Sequence, residues 1–376
     1  MSISEALQNW YFYFKRDLPW RKTKNPYHIL VSEVILQQTK VEQGLNYYRR
    51  FVEKFPDLHC LATAPQDEVF KIWQGLGYYA RAKNLHHTAI FIDKNLNGII
   101  PGNFDQLIQL KGIGPYTAAA VASIAFNEAK PTIDGNVTRV LSRIFGIAEP
   151  KGSASLDKKI EEKACIILDK ENPGTHNQAL MELGALVCLP NNPNCIDCPI
   201  SKSCHAYNCS NPLLYPVKIQ TKKKKKRYFN YFFIIGSNKT FLQKRYKKDI
   251  WQGLYEPILI ETEIKTNWES IIKHADWRKI FPSTNFKNLQ TIESKHILSH
   301  QEINLIFYVV ESRNKFHLPD NAIEIALDEL NLYPISRAFE KFIQKLDLNK
   351  FQNLNKMNCT ADRKSTRLNS SHRIRS

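Results

Sequence analysis

"LIQLKGIGPYTAAAVASIAF", residues 107–126, joins an apolar helical run to a second helix of small residues across a very short connection. The first run ends at Lys111, Gly112, Ile113 and Gly114. Pro115 then opens the second, at the position where a fixed φ and a missing N–H suit a helix start. Glycines at 112 and 114 permit a tight turn and let the backbone approach a ligand closely. The free amides at the helix start suit a phosphate, held without reading any base. A plain helix–turn–helix connection would leave the same pattern.

Helical spacing extends to both sides of this stretch, from about residue 4 to residue 206. Leu30, Val34, Val41, Leu45, Tyr48 and Val52 recur at three, four and seven, and "NVTRVLSRIF" and "HNQALMELGALVC" repeat the pattern. Pro65, Pro101, Pro131 and Pro173 fall at helix boundaries, so a compact bundle of short helices is expected. Beyond it, residues 208–227 carry two prolines and the run "KKKKKR" and read as a basic linker. Aromatic and β-branched runs follow, "YFNYFFIIG", "TFLQKR", "LYEPILI" and "INLIFYVV". These predict a second, α+β domain over 228–347.

Composition narrows the class. The chain has 376 residues, 43% hydrophobic and 24% charged, the balance of a water-soluble protein of two domains. No apolar run is long enough to cross a bilayer, and the first residues lack the features of a secretory signal. A reducing cytoplasm is expected, which argues against a disulfide framework. The formal charge is +17, which favours a polyanionic partner, nucleic acid ahead of membrane. In the tail, 348–376, the last fifteen residues "DRKSTRLNSSHRIRS" hold five basic residues and one acid without periodicity. They read as a cloning or sequencing scar, and without them the charge is still +13.

"CLPNNPNCIDCPISKSC", residues 188–204, places Cys188, Cys195, Cys198 and Cys204 at gaps of six, two and five. A Cys-x2-Cys pair lets two thiolates face one centre, so a metal is expected. The single pair departs from the two separated pairs usual for zinc, and four thiolates in one loop also suit an iron–sulfur cube. Spacing alone leaves both open.

Together the hairpin, "PTIDGNVTRV" and the cysteine loop resemble the helix-hairpin-helix-GPD superfamily of DNA glycosylases. "LPWR", "SEVILQQT", "GLGYYAR" and "IDGNVTRV" resemble the adenine DNA glycosylase (MutY) family within it. The resemblance is specific over about residues 7–205 and weaker beyond. It implies an all-α glycosylase domain over 1–207 that carries a 4Fe–4S cluster on the four cysteines, followed by a Nudix-like α+β domain. It implies a monomeric, cytoplasmic, nucleoid-associated enzyme that binds double-stranded DNA and excises adenine mispaired with 8-oxoguanine or guanine. Such chemistry needs the base out of the stack, a proton donor for the leaving purine and a carboxylate beside the sugar cation.

By position, the resemblance implies that Glu33 is the acid, Asp134 the carboxylate and Asn136 its orienting neighbour. Tyr116 stands where the endonuclease III pattern has a lysine, which implies a monofunctional enzyme, since a phenol forms no Schiff base. From residues alone, Glu33 also fits a solvated polar stripe with Ser32, Gln37 and Lys40, and Asp134 also fits a helix cap. Gln38, Thr39, Leu76 and Tyr78 match residues that enter the duplex, while Lys111, Gly112 and Gly114 form the phosphate-contacting turn. Trp20, Arg21 and Gln178 match the adenine pocket. In the second domain "FLQKR" and "WQGLYEP" resemble the Nudix-like module, without the glutamate run that binds magnesium. "HILSH", residues 296–300, implies 8-oxoguanine recognition by Ser299 and His300, with Leu298 where the family has an aromatic.

Overall fold

Prolines and short polar side chains set the helix boundaries in the first part of the chain. The computed structural model describes residues 2–209, 211–217, 224–236, 238–281, 286–298, 300–312 and 321–346. Helices run in the order α1 (Ile3–Phe14), α2 (Pro26–Leu36), α3 (Val41–Lys54), α4 (Leu58–Thr63), α5 (Gln66–Trp73) and α6 (Ala80–Asn95). They continue as α7 (Phe104–Leu107), α8 (Pro115–Phe126), α9 (Gly135–Phe145), α10 (Ala154–Ile167), α11 (Pro173–Leu186) and α12 (His205–Asn208). Pro26, Pro115 and Pro173 start three of them, and Ser2, Asn25, Asp57, Asn103, Asp134 and Ser153 each accept a hydrogen bond from a first-turn amide.

Two compact units result, one of Met1–Ile72 with Ala80–Thr221, the other of Trp73–Tyr79 with Lys222–Ser376. In the first, α2 and α8 are buried nearly all round, and their apolar residues do not form one stripe. The alanines at 118, 119, 120 and 122 of α8 are fully or almost fully buried. A second cluster gathers Leu7 and Tyr11 of α1, Val137, Val140, Leu141 and Ile144 of α9, Leu156 and Ile160 of α10, and Leu180 and Leu183 of α11. α11 crosses α9 closely at Gly184, where an added Cβ would lie 2.7 Å from Cβ of Asn136.

The second unit holds β1 (Lys225–Ile235), β2 (Lys239–Lys244), β3 (Tyr255–Glu256), β4 (Ile258–Thr262), β5 (Phe286–Ile297), β6 (Gln301–Ser312) and β7 (Ala322–Ala326), with α13 (Trp268–Ile271), α14 (Ala275–Ile280) and α15 (Arg337–Lys345). One sheet has the order β4-β1-β6-β5, with β1 parallel to β6 and the outer pairs antiparallel; the other has the order β3-β2-β7. Successive residues of β1 point into two cores. Phe229, Tyr231 and Phe233 share a cluster with Phe339 and Phe342 of α15, which Phe233 meets edge-on, while Phe232 and Ile234 share another with Trp277 of α14. That two-sided burial explains why "YFNYFFII" is a continuous apolar run rather than an alternating one.

The expected linker, 208–227, holds short helical turns, and the structure already places Lys225, Lys226 and Arg227 in β1. Its cause is Arg227, buried by bidentate pairs to Asp249 and Glu261, so one member of the basic run is a paired interior residue. Residues 210 and 218–223 of that linker, Ser299 and the tail 348–376 lie outside the described residues.

Gly184→Ala is expected to lower unfolding stability by about 1–3 kcal/mol, because the new methyl has no room against α9. Chemical denaturation that leaves the variant as stable as the parent would show that α9 and α11 can separate without cost.

Candidate active site

Burial of α2 puts Glu33 inside the protein rather than on a solvated stripe, with 5% exposure. Desolvation raises its carboxyl from 4.5 to about 7, against a hydrogen bond from Tyr116 and the more distant Arg21 guanidinium, and with support from the Asp134 charge. Tyr116 follows Pro115 in the first turn of α8, so the connection that turns at Gly112 also delivers this phenol. Its hydroxyl donates a short hydrogen bond to Glu33 Oε2 and lies 3.6 Å from Met181 Sδ. Burial, then the neighbouring Glu33, hold the phenol well above its ordinary range, so it stays protonated as a donor.

Asp134 caps α9, accepting from Val137 N at 2.7 Å and from Asn136 Nδ2 at 2.8 Å. Burial raises it, and those two donors oppose the rise. The cap and a place at the cavity therefore coexist in one side chain. The approach to it is pinned by Asn177, which accepts from Thr132 N at 3.1 Å and donates to Lys130 O at 2.9 Å. Asn136 Oδ1 in turn accepts from Arg139 Nη2 at 3.0 Å, and Arg139 also donates to the carbonyls of Cys188 and Gly184, both at 2.8 Å. A hydrogen-bonded chain thus runs from Asp134 to the start of the cysteine loop.

Glu33, Tyr116, Asp134 and Asn136 line one cavity of about 150 Å³, together with Trp20, Arg21, Thr39 and Gln178. Trp20 is at once wall and core, 5.0 Å edge-on from Tyr48. Glu182 of α11 lines the same cavity and was not legible in the sequence, although it stands four residues after Gln178 on one helix face. It is 1% exposed and accepts from Arg16 at 2.6 and 3.0 Å and from Arg21 at 2.7 Å. Burial would raise it, but the Arg21 and Arg16 donors outweigh that and hold it at about 2.

The structure keeps other expected residues apart from this cavity. Gln38 follows α2 with φ +59, a left-handed conformation. Lys111, Gly112 and Gly114 are exposed in the α7–α8 connection; Gly112 has φ +87, and a Cβ there would lie 2.3 Å from Asn84 Cβ. Gly114 caps α8 without any side-chain acceptor on the first amides. Leu76 is buried and Tyr78, at φ +48, is half exposed; both belong to the second unit. His300 is exposed at the β5–β6 turn, where its carbonyl accepts from Lys225 N at 3.1 Å. His296 lies with its ring centre 5.3 Å from that of Trp251.

Cys188, Cys195, Cys198 and Cys204 line a second cavity beneath α9 with Arg143. Among the described residues, no three metal-binding side chains stand close enough to hold one ion. Burial, then the charges of their fellow cysteines, raise Cys195 and Cys204, and Cys198 reaches about 12. Four thiolates there need a cationic centre. Arg143, 2% exposed, is satisfied by carbonyls of the surrounding loops, at 2.7 Å from Leu189 and 2.8 Å from Pro212, and sits 3.2 Å from Cys188 Sγ. A buried cation with no carboxylate partner among the described residues, in one cavity with four cysteines, fits a thiolate-bound cluster.

Residues 31–164 match the family model described as HhH-GPD superfamily base excision DNA repair protein, and residues 230–345 match the NUDIX domain. The chain is 34% identical over 356 residues to the adenine DNA glycosylase of Buchnera aphidicola subsp. Baizongia pistaciae, covering 91% of this chain and 96% of that one. It is 42% identical over 210 residues to the adenine DNA glycosylase of Homo sapiens, covering 54% of this chain and 38% of that one. A solved thermostable thymine-DNA glycosylase matches 55% of this chain and 95% of its own, with a TM-score of 0.50 at 29% identity.

A carboxyl that binds its proton more tightly folded than unfolded loses stability as pH rises through the folded value. Between 4.5 and about 7 the burial of Glu33 therefore costs on the order of 3 kcal/mol. Glu33→Gln is expected to be more stable than the parent at pH 8 and nearly equal at pH 4. Denaturation midpoints that move together at both pH values would disprove the raised carboxyl.

Proposed function

The chain belongs to the adenine DNA glycosylase family, and on that premise we propose that it excises adenine opposite 8-oxoguanine or guanine in duplex DNA. It is a DNA glycosylase of base excision repair. The observation that carries the finer reading is the pair of buried carboxyls in one cavity with different sets of hydrogen-bond donors. Glu33 has one weak-acid donor and stays protonated near neutrality, whereas Asp134 has two donors that favour its charged form.

In this reading the base leaves the stack and enters the cavity at α2, α8 and α11. Glu33 gives its proton to the purine ring as the bond to the sugar breaks, and Tyr116 holds the Glu33 carboxyl in place. Asp134, oriented by Asn136, faces the sugar cation until water adds. Glu182, charged between two arginines, supplies an acceptor suited to an exocyclic amine beside Trp20 and Gln178. The protonated phenol of Tyr116 offers no amine for a Schiff base, which supports a monofunctional reaction.

Lys111, Gly112 and Gly114, with the first amides of α8, which Gly114 leaves without a side-chain cap, would take phosphates, and Gln38, Thr39, Leu76 and Tyr78 would meet the duplex around the lesion. His300 at the β5–β6 turn, with Ser299, which lies outside the described residues, would read 8-oxoguanine. Cys188, Cys195, Cys198 and Cys204 would hold a 4Fe–4S cluster, which when bound supplies a cross-link that stiffens the loop. Arg139 then passes that rigidity to Asn136 and Asp134. The enzyme acts as a monomer on nucleoid DNA in the cytoplasm.

Single-turnover release of adenine opposite 8-oxoguanine, guanine and thymine, with borohydride trapping in parallel, tests the proposal. Preference for 8-oxoguanine with little trapped adduct is expected. The rate should fall about tenfold per pH unit above about 7 as Glu33 loses its proton. Glu33→Gln and Asp134→Asn should lose on the order of 10²–10⁴-fold in rate while still binding duplex. Iron-loaded protein that binds DNA but releases no adenine from any duplex would refute this reading.

A further inference from the structure

One face of α6 holds two turns at once, and we infer that Arg81 on that face is a positioning residue for base extrusion. The inference rests on the proposed reading that residues 38 and 39 enter the duplex. Arg81, Asn84 and Thr88 follow one another at spacings of three and four, which aligns them along the helix.

Arg81 Nη1 donates to Val34 O at 3.0 Å, to Ile35 O at 2.9 Å and to Gln37 O, and lies 3.4 Å from Thr39 Oγ1. A helix leaves its last carbonyls without intrahelical donors. At the end of α2 a cation supplies them, as charge-assisted bonds stronger than those of neutral donors. Immediately after the last of these carbonyls, that of Gln37, Gln38 adopts φ +59, a conformation that a Cβ disfavours and that needs support from its surroundings. Gln37 Nε2 also donates to Thr117 Oγ1 at 3.0 Å, tying the turn to the helix that carries Tyr116.

Farther along α6, Thr88 Oγ1 donates to Lys111 O at 2.7 Å, and Asn84 packs where a Cβ on Gly112 would be. The same helix therefore fixes the separation between the turn at 37–39 and the phosphate-binding turn at 111–114. Glu33 directly precedes Val34 and Ile35, whose carbonyls Arg81 holds, and stands about one helical turn before Gln37. Without the guanidinium, Gln38 is free to leave its left-handed conformation, and the turn no longer arrives at the duplex preshaped. Phosphate contacts at the second turn remain, so extrusion is lost before binding is.

The full iron-loaded chain with Arg81→Met or Arg81→Lys tests this. Excision is measured in single turnovers at saturating protein, extrusion by the fluorescence of 2-aminopurine at the target position, and folding by thermal unfolding. Arg81→Met is expected to lose extrusion and on the order of 10²-fold in excision, well beyond its loss of duplex affinity or folded fraction. Arg81→Lys, which keeps a charged donor, should recover part of both. Wild-type extrusion and excision in Arg81→Met would overturn the inference. So would losses no larger than the unfolded fraction accounts for, with Arg81→Lys no better than Arg81→Met. Parent protein that binds duplex yet neither brightens the probe nor releases adenine would instead overturn the proposed function.

Discussion

A single carboxyl group, taken out of water with one phenol as its hydrogen-bond donor, is the constraint on which the first unit depends. Burying Glu33 works only because α2 is enclosed and its own apolar residues offset the cost. The alanine-rich α8 can lie close to α2 because it brings almost no side-chain bulk, and the same helix start brings Tyr116 to Glu33. A helix with large residues at those positions would hold the phenol away and admit water to the acid.

Other interior charges in this protein show what Glu33 lacks. Glu182 is also almost inaccessible to solvent, yet two guanidiniums keep it at about 2. In the second unit Asp249 accepts from both Arg227 and Arg245 and is held well below the usual carboxylate range despite its burial. Glu256, nearly inaccessible, is raised by desolvation although Arg245 and Tyr231 both donate to it. The direction follows from the balance between desolvation and the number and charge of the donors, and neither decides it alone. Charges of the structural kind come with cations, and the proposed acid does not.

Periodicity, proline placement and glycine spacing made the two-part architecture legible, since these are local properties of the backbone. In "LIQLKGIGPYTAAAVASIAF" the second helix is read correctly from its own residues, because a proline-started helix after a glycine turn needs no distant partner to be recognised, whereas the first helix stops at Leu107 and residues 108–112 form turns instead of continuing it to Lys111. The boundary near residue 225 was harder. A run of lysines reads as solvated chain, and only Asp249 and Glu261, far along the sequence, make Arg227 an interior residue. The same holds for Glu182, whose partners Arg16 and Arg21 lie about 160 residues earlier.

The sequence by itself determined the helical and strand-rich parts of the chain, the helices that prolines start, and which residue types were on hand for proton transfer and for binding a cluster. It also carried the resemblance by which the family was recognised. Tertiary structure alone decided that Glu33 faces a cavity rather than solvent and that Asp134 serves as cap and cavity wall together. It also decided that Arg139 and Arg81 tie separate loops to the site. Local pattern reports the backbone's preferences, which act within a few residues, whereas desolvation and hydrogen-bond partners depend on what the rest of the chain brings near.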